Sequence, residues 1–134
     1  MWTPDPATII TAEAKAAQAQ ADLGAAIDVE RERRIALPLA VTLSVGTFSI
    51  DMDDDSQRNL NGLATAGLML NAASSTQTTP FRDHDNQMHD LTPDDLVAMG
   101  AQVMARISAM YADSWALKGM TTIPADYTAD SYWQ

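Results

Sequence analysis

An alanine-rich run between Pro6 and Pro38 is the feature that most constrains the fold of this chain. Asp5 is a good N-cap residue, and proline suits the first helical position because its missing N–H costs nothing there. Pro38 supplies the stop, since proline cannot continue a helix. The sequence therefore predicts one helix from about Pro6 to Leu37, roughly 45 Å long at 1.5 Å per residue.

The apolar stripe of this helix is thin. Most of its members are alanines, which bury little area each and let helices approach closely. A helix of that length also exceeds the width of a domain of 134 residues, so part of it should project. We therefore expect a partner helix, from another copy or another protein, along an a/d seam of Ile9, Ala12, Ala16, Ala19, Leu23, Ala26 and Ile27.

After Pro38 the period of the sequence changes to two. Leu39 to Val45 alternates apolar with small or polar residues, which is typical of a half-buried strand. A turn at Gly46-Thr47 and a second alternating stretch through Ile50 complete a short hairpin. The acidic residues that follow are good helix caps, and helical spacing of leucines predicts a second helix from about 54 to 73.

A second hairpin and a third helix are predicted beyond Pro80. Thr79 to Asp83 and Gln87 to Leu91 form the strands, with a turn between them. Thr92 is an N-cap followed by proline and two aspartates, so it begins a helix that carries a broad apolar face to about Gly119. No periodicity follows that glycine.

These elements give the fold class α+β, a long N-terminal helix followed by a small domain of two β-hairpins and two helices. We divide the chain into residues 1–37 for oligomerisation or docking, the small α+β domain 38–119 and an extended aromatic tail 120–134. The terminal aromatics lie on segments too polar to bury themselves, which leaves disorder or docking on a neighbouring subunit open. The predicted partner contacts are Trp2, Ile9, Leu23, Ile27, Tyr127, Tyr132 and Trp133.

Composition excludes several classes of function. Eighteen acidic against eight basic residues give a net charge of −10, which argues against binding to nucleic acid or to anionic membranes. Cysteine is absent, so disulfides, thiolate metal sites and cysteine nucleophiles are excluded. We find neither a signal-peptide pattern nor an apolar run of membrane-spanning length, and we expect a soluble, unexported chain.

Two clusters could carry chemistry. Asp51, Asp53 and Asp55 begin like a calcium-binding loop, but Ser56 and Gly62 stand where that loop needs glycine and glutamate. Helix capping is the favoured interpretation of these aspartates.

The second cluster, Asp83 to Asp90, gathers both histidines of the chain, His84 and His89, with three aspartates. Across a hairpin turn the two rings could face one another and bind a transition metal, although a solvated polar turn is favoured. No activated serine or phosphate-binding loop is present. We therefore predict no catalytic residues, no cofactor and no metal, and a protein that is not an enzyme.

The order of several short motifs resembles that of a known family. They are an arginine-rich helix end at 30–35, a hairpin end at 46–51, a Ser-Gln-Arg-Asn helix cap at 56–59, a hairpin at 81–92 and a helix with residues 96–100. The resemblance covers roughly residues 28 to 118. It is to a small domain of unknown function found toward the C-terminus of bacteriophage tail-fibre and tail-associated proteins.

This resemblance implies a virion structural protein of a phage tail, in a fibre, tail tip or baseplate adaptor, made in the host bacterial cytoplasm. Its partners would be other phage tail proteins and further copies of itself, with a trimer favoured, and neither nucleic acid nor membrane. The family brings no established catalytic residues. Two alternatives stay open, a tail-fibre assembly chaperone that is not retained in the virion and, less favoured, a metal-dependent enzyme built on His84 and His89.

Overall fold

The computed structural model describes residues 11–134 and is α+β, with three helices and two antiparallel hairpins, as predicted. Helices and strands follow one another in the order α1 (Ala12–Ile35), β1 (Leu39–Leu43), β2 (Gly46–Ile50), α2 (Asp54–Ala72), β3 (Thr79–Arg82), β4 (Met88–Leu91) and α3 (Pro93–Lys118), with a 3-10 turn at Asp130–Tyr132. Within this range no helix combines the length and apolarity that a membrane span requires.

Helix α1 is shorter than predicted. Thr11 has extended backbone, and its hydroxyl accepts a hydrogen bond from the Ala14 N–H at 3.0 Å, so it is the N-cap. The predicted helix through Thr11 is therefore wrong at this point, because a threonine that bonds the first-turn N–H leaves the helical conformation. Its 24 residues give about 36 Å, and α3 is longer, with 26. The predicted start at Asp5 and Pro6 lies outside the described residues.

The first hairpin turns two residues earlier than predicted. Leu43 pairs with Gly46, so the turn is Ser44-Val45 and Gly46 already belongs to β2. The Asp95 carboxylate fixes this turn by accepting hydrogen bonds from the Ser44 N–H at 3.0 Å and the Ser44 hydroxyl at 2.7 Å. Gly46 has a φ of 124°, which a residue with a side chain rarely adopts.

The start of α3 is as the sequence predicts. Thr92 and Asp95 form a capping box in which each side chain bonds the backbone N–H of the other, and Pro93 occupies the first turn. Helix α2 runs along the N-terminal half of α3. Their backbones approach closely where Gly67 of α2 meets Pro93 and where Gly100 of α3 meets Ala64.

The core consists of two clusters of buried side chains on successive halves of α3. The first joins the β1–β2 hairpin, α2 and the N-terminal half of α3, and the second joins α1, the C-terminal half of α3 and residues 120–134. Ile107 packs against both clusters. Residues 120–134 are therefore part of the globule in this structure, in place of the extended tail that we predicted.

Candidate functional site

The N-terminal half of α1 is left uncovered by the rest of the described chain. Every residue from 11 to 19 is exposed. Among residues 11–134, the first side chain of α1 that bonds a distant segment is Gln20, which donates to the Thr121 carbonyl at 3.1 Å and accepts from the Ile123 N–H at 3.4 Å. Residues 11–19 therefore form more than two turns of bare, alanine-rich helix.

The predicted contact residues of the second half of α1 lie elsewhere. Ile27 is 0 % exposed, and Leu23 is partly buried against the same cluster. Their side chains meet α3 and the C-terminal segment of their own chain, so they are not free for a partner helix. Trp2 and Ile9, predicted as further contacts, lie outside the described residues.

The predicted terminal aromatics also pack within the chain. Trp133 is 6 % exposed, and Tyr127 and Tyr132 lie against the same cluster. The indole N–H of Trp133 donates to the Tyr127 carbonyl at 2.8 Å, which closes the segment on itself. Turns and a buried indole thus replace a free aromatic tail, because α1 and α3 supply the apolar surface that the segment lacks.

Arg34 anchors this segment to α1. Its Nη2 donates to the Thr128 carbonyl and to the Asp130 carboxylate, both at 2.8 Å, and its guanidinium carbon lies 5.3 Å from the centroid of the Trp133 ring. Glu30 accepts from Arg34 at 2.9 Å and from Arg33 at 2.6 and 2.9 Å. Hydrogen bonds from Arg33 and Arg34 outweigh burial and lower the pKa of Glu30.

Three more cations hold α1 to α3. Asp28 accepts from Arg31 and from Lys118, each at 2.7 Å, and the Arg31 guanidinium lies 4.2 Å from the centroid of the Tyr111 ring. Arg106 of α3 donates to the Leu37 carbonyl at 2.7 Å, at the C-terminal end of α1. None of these roles was predicted from the sequence. Helical spacing could have found the Glu30–Arg33–Arg34 group, but no local signal connects Arg34 to Asp130.

The two histidines bind different carboxylates and do not face each other across the turn. His89 Nε2 lies 2.7 Å from the carboxylate of buried Asp83, and its ring stacks on Phe48 with centroids 4.0 Å apart. Asp83 also accepts from the N–H groups of Asp85 and Gln87, at 2.8 and 2.9 Å. The hydrogen bond from His89 lowers the pKa of Asp83 most.

His84 joins the two hairpins. Its N–H donates to the Ser49 carbonyl at 2.9 Å, and its Nδ1 lies 2.5 Å from the Asp51 carboxylate. This hydrogen bond raises the pKa of His84, and the negative charges of Asp51, Asp85 and Asp83 add to the effect. The arrangement therefore fixes one hairpin against the other.

The three alternating aspartates have separate partners as well. Asp51 bonds His84, Asp53 accepts from the Ser56 hydroxyl, and Asp55 pairs with Arg58 at 3.0 Å. Asp53 occupies the N-cap position of α2. No group of three or more histidine, aspartate or glutamate side chains within residues 11–134 converges where a metal ion could bind. What these polar clusters do in the structure is connect turns and helix ends.

Comparison with known proteins gives one match. No curated protein and no solved structure matches the chain. One family model, described as a domain of unknown function, DUF4376, matches residues 18–131, from the N-terminal half of α1 to the 3-10 turn. The match includes the C-terminal segment with its anchor to Arg34. Because it covers most of the chain, this protein belongs to the DUF4376 family.

Proposed function

We propose that this protein is a structural component of a bacteriophage tail, in a tail fibre, tail tip or baseplate, and that it acts through protein–protein contacts. The order of motifs over residues 28 to 118 supports the assignment to a phage tail. Those motifs lie within the range that the family model matches. The proposed location is the virion, after synthesis in the host bacterial cytoplasm.

The observation that carries assembly as the function is the bare half of α1. Isolated helices shorter than about 12–15 residues are marginal in water, and most helical stability in proteins comes from packing. Residues 11–19 are exposed on all sides and have no packing partner in the described chain. A partner helix would supply it.

We propose further copies of the same half of α1 as that partner, with a trimer favoured. Ala12, Ala16 and Ala19 recur at helical spacing on one face, where small side chains allow close approach. The charges of this half nearly cancel, since Lys15 opposes Glu13 and Asp22, whereas the whole chain carries −10. Copies can therefore meet here with less repulsion than over the rest of the surface.

Light scattering on two matched double variants tests this contact. Ala16→Glu with Ala19→Glu places charge on the proposed seam, and Ala14→Glu with Ala21→Glu places the same charge on the opposite face of α1. We expect the first pair to abolish the trimer and the second to leave it intact. A wild-type protein that is monomeric at all concentrations, or equal effects of both pairs, would contradict the proposal.

Leu23 and Ile27 are unsuitable for this test. Ile27 belongs to the core of the chain, so a polar residue there would unfold the second cluster as well as any bundle.

Quantitative mass spectrometry of purified phage particles tests the location. A tail component is retained at a fixed copy number, and a trimer predicts a multiple of three. A tail-fibre assembly chaperone would be present in infected cells and missing from the particles, and that result would replace the proposed function with the alternative.

A further inference from the structure

The outer face of α3 carries no charge over four turns. At 100° per residue its exposed positions fall within a sector about 120° wide and about 23 Å long. Trp115 is 62 % exposed and Met104 is 53 % exposed, so the face is apolar as well as uncharged. The complete set of exposed residues between 101 and 116 is Ala101, Met104, Ala105, Ser108, Ala112, Trp115 and Ala116.

Large and small side chains on this face are distributed in a self-complementary way about Ser108. Trp115 lies as far after Ser108 in the sequence as Ala101 lies before it, and Met104 and Ala112 are likewise equidistant. In an antiparallel pair of α3 helices centred on Ser108, each Trp115 meets the Ala101 of the other copy and each Met104 meets its Ala112. A parallel pair would place indole against indole and alanine against alanine.

We propose that a second copy of this chain binds to this face, with the two α3 helices antiparallel about a two-fold axis at Ser108. Large-on-small packing fills such a contact without voids, and two-fold contacts are self-complementary by nature. The charge pattern supports a copy as the occupant. Two chains that each carry −10 repel, and the exposed α3 residues of this face include no carboxylate.

The contact does not depend on the proposed tail function and does not use α1. A strip one helix wide and about 23 Å long is smaller than a standard protein interface. We therefore expect a dimer that dissociates on dilution. The two contacts are independent because they involve different helices, and either can be removed by substitution without the other.

Disulfide trapping is a clean test because the chain has no cysteine. Ser108→Cys puts the two thiols on the proposed axis, within the Cα separation of about 7 Å that a disulfide allows. Ala101→Cys is the control on the same face, since the two copies of that thiol would be about 21 Å apart along the helices. Under mild oxidation we expect a crosslinked dimer from Ser108→Cys and monomer from Ala101→Cys, with circular dichroism confirming that both fold.

Two further substitutions in the Ser108→Cys background identify the surface. Trp115→Glu removes the largest contact and should abolish the crosslink, whereas Met69→Glu alters an equally exposed residue of α2 and should preserve it. Adding Ala16→Glu and Ala19→Glu should also preserve it, which separates this contact from association through α1.

Three results would overturn the proposal. Equal crosslinking of Ser108→Cys and Ala101→Cys would mean a parallel contact or random collision. No crosslinking of either would mean that the face is free or takes a different protein. Crosslinking that survives Trp115→Glu would mean that the copies meet through another surface.

Discussion

Gly67 on α2 leaves no room for a side chain. A Cβ atom there would lie 2.7 Å from the Pro93 carbonyl oxygen and 2.8 Å from Leu96 Cβ. We predict that Gly67→Ala lowers the free energy of unfolding by about 1–3 kcal/mol, because α2 and α3 must move apart. Alanine is intrinsically the better helix former, so packing and propensity oppose each other at this site. Urea denaturation measures the result.

Gly62 on the same helix is the matched control. A Cβ atom built there meets nothing within 4 Å. Gly62→Ala should therefore raise the free energy of unfolding by about 0.5–1 kcal/mol, since only the conformational effect remains. If both variants were stabilised alike, α2 and α3 would not be as close as the structure places them.

Asp95 holds the first hairpin to the start of α3 with both carboxylate oxygens. One oxygen accepts from the Ser44 N–H, and the other from the Ser44 hydroxyl and the Thr92 N–H. Asp95→Asn replaces one of these accepting oxygens by an NH2 group, which cannot accept a hydrogen bond from Ser44 or Thr92. We predict a loss of about 1–3 kcal/mol in the free energy of unfolding, from the unpaired buried groups. Asp94→Asn, at an exposed neighbour, should change it by less than about 0.5 kcal/mol in the same urea experiment.

At the scale of elements, the C-terminal segment depends on Arg34. The Arg34 side chain is 12 % exposed and reaches Glu30, Thr128 and Asp130. Arg34→Ala leaves the buried Glu30 carboxylate with one partner and removes the anchor. We predict a loss of about 1–3 kcal/mol in the free energy of unfolding, because hydrogen bonds from a charged donor to Glu30 and to the Thr128 carbonyl are lost. Limited proteolysis should also cut residues 120–134 faster.

Arg33 provides the comparison, because it binds the same glutamate from the surface. Its side chain is 56 % exposed, and both of its hydrogen bonds go to Glu30 and not to the C-terminal segment. Arg33→Ala should cost about 1 kcal/mol or less and leave the proteolysis rate unchanged. Equal cleavage of both variants would contradict the role of Arg34 as the anchor.

Elements with strong local signals were predictable from the sequence. The Thr92 capping box and the alternation in both hairpins were found, because capping and strand alternation involve residues close in sequence. Asn61-Gly62, a common hairpin turn, lies inside α2, where the leucines around it have helical spacing. The turn at Ser44 was misplaced, since the carboxylate that fixes it belongs to Asp95, on another element.

The candidate site was less accessible to sequence analysis for the same reason. The thin apolar stripe of α1 predicted that part of this helix would be uncovered. Burial of Ile27 and Trp133 did not, because the cluster joins segments about a hundred residues apart, and aperiodic turns give no sign of what they cover. His84 and His89 were correctly placed in one hairpin, but their carboxylate partners depend on how that hairpin lies on its neighbour.

For the whole molecule, we predict that stability falls in acid. The hydrogen-bonded carboxylates have pKa values below the ordinary 3.8 of aspartate and 4.5 of glutamate. Their contribution to stability is therefore complete above the ordinary pKa and is lost as the pH falls through the lowered pKa. Melting temperatures between pH 6 and 2 should drop mainly below about pH 4.5. A melting temperature that does not change over this pH range would contradict the prediction. The carboxylates concerned are Asp28, Glu30, Asp53, Asp83 and Asp95.

His84 should act in the opposite direction near neutral pH. The pKa of His84 is raised above the ordinary 6.5. Its contribution to stability is therefore complete below pH 6.5 and is lost as the pH rises through the raised pKa. We expect His84→Asn to remove this decline and to leave the acid decline of the carboxylates in place. An unchanged neutral profile in the variant would mean that the pairing with Asp51 does not stabilise the fold.

The closure of the second cluster by residues 120–134 has a consequence for synthesis on the ribosome. Helix α1 emerges before α3, Ile123 and Trp133, which pack with Ile27 in the second cluster. The apolar side chains of nascent α1 therefore remain in water until residues 120–134 have left the exit tunnel. A fragment ending before Trp133 would leave the cluster around Ile27 without its indole.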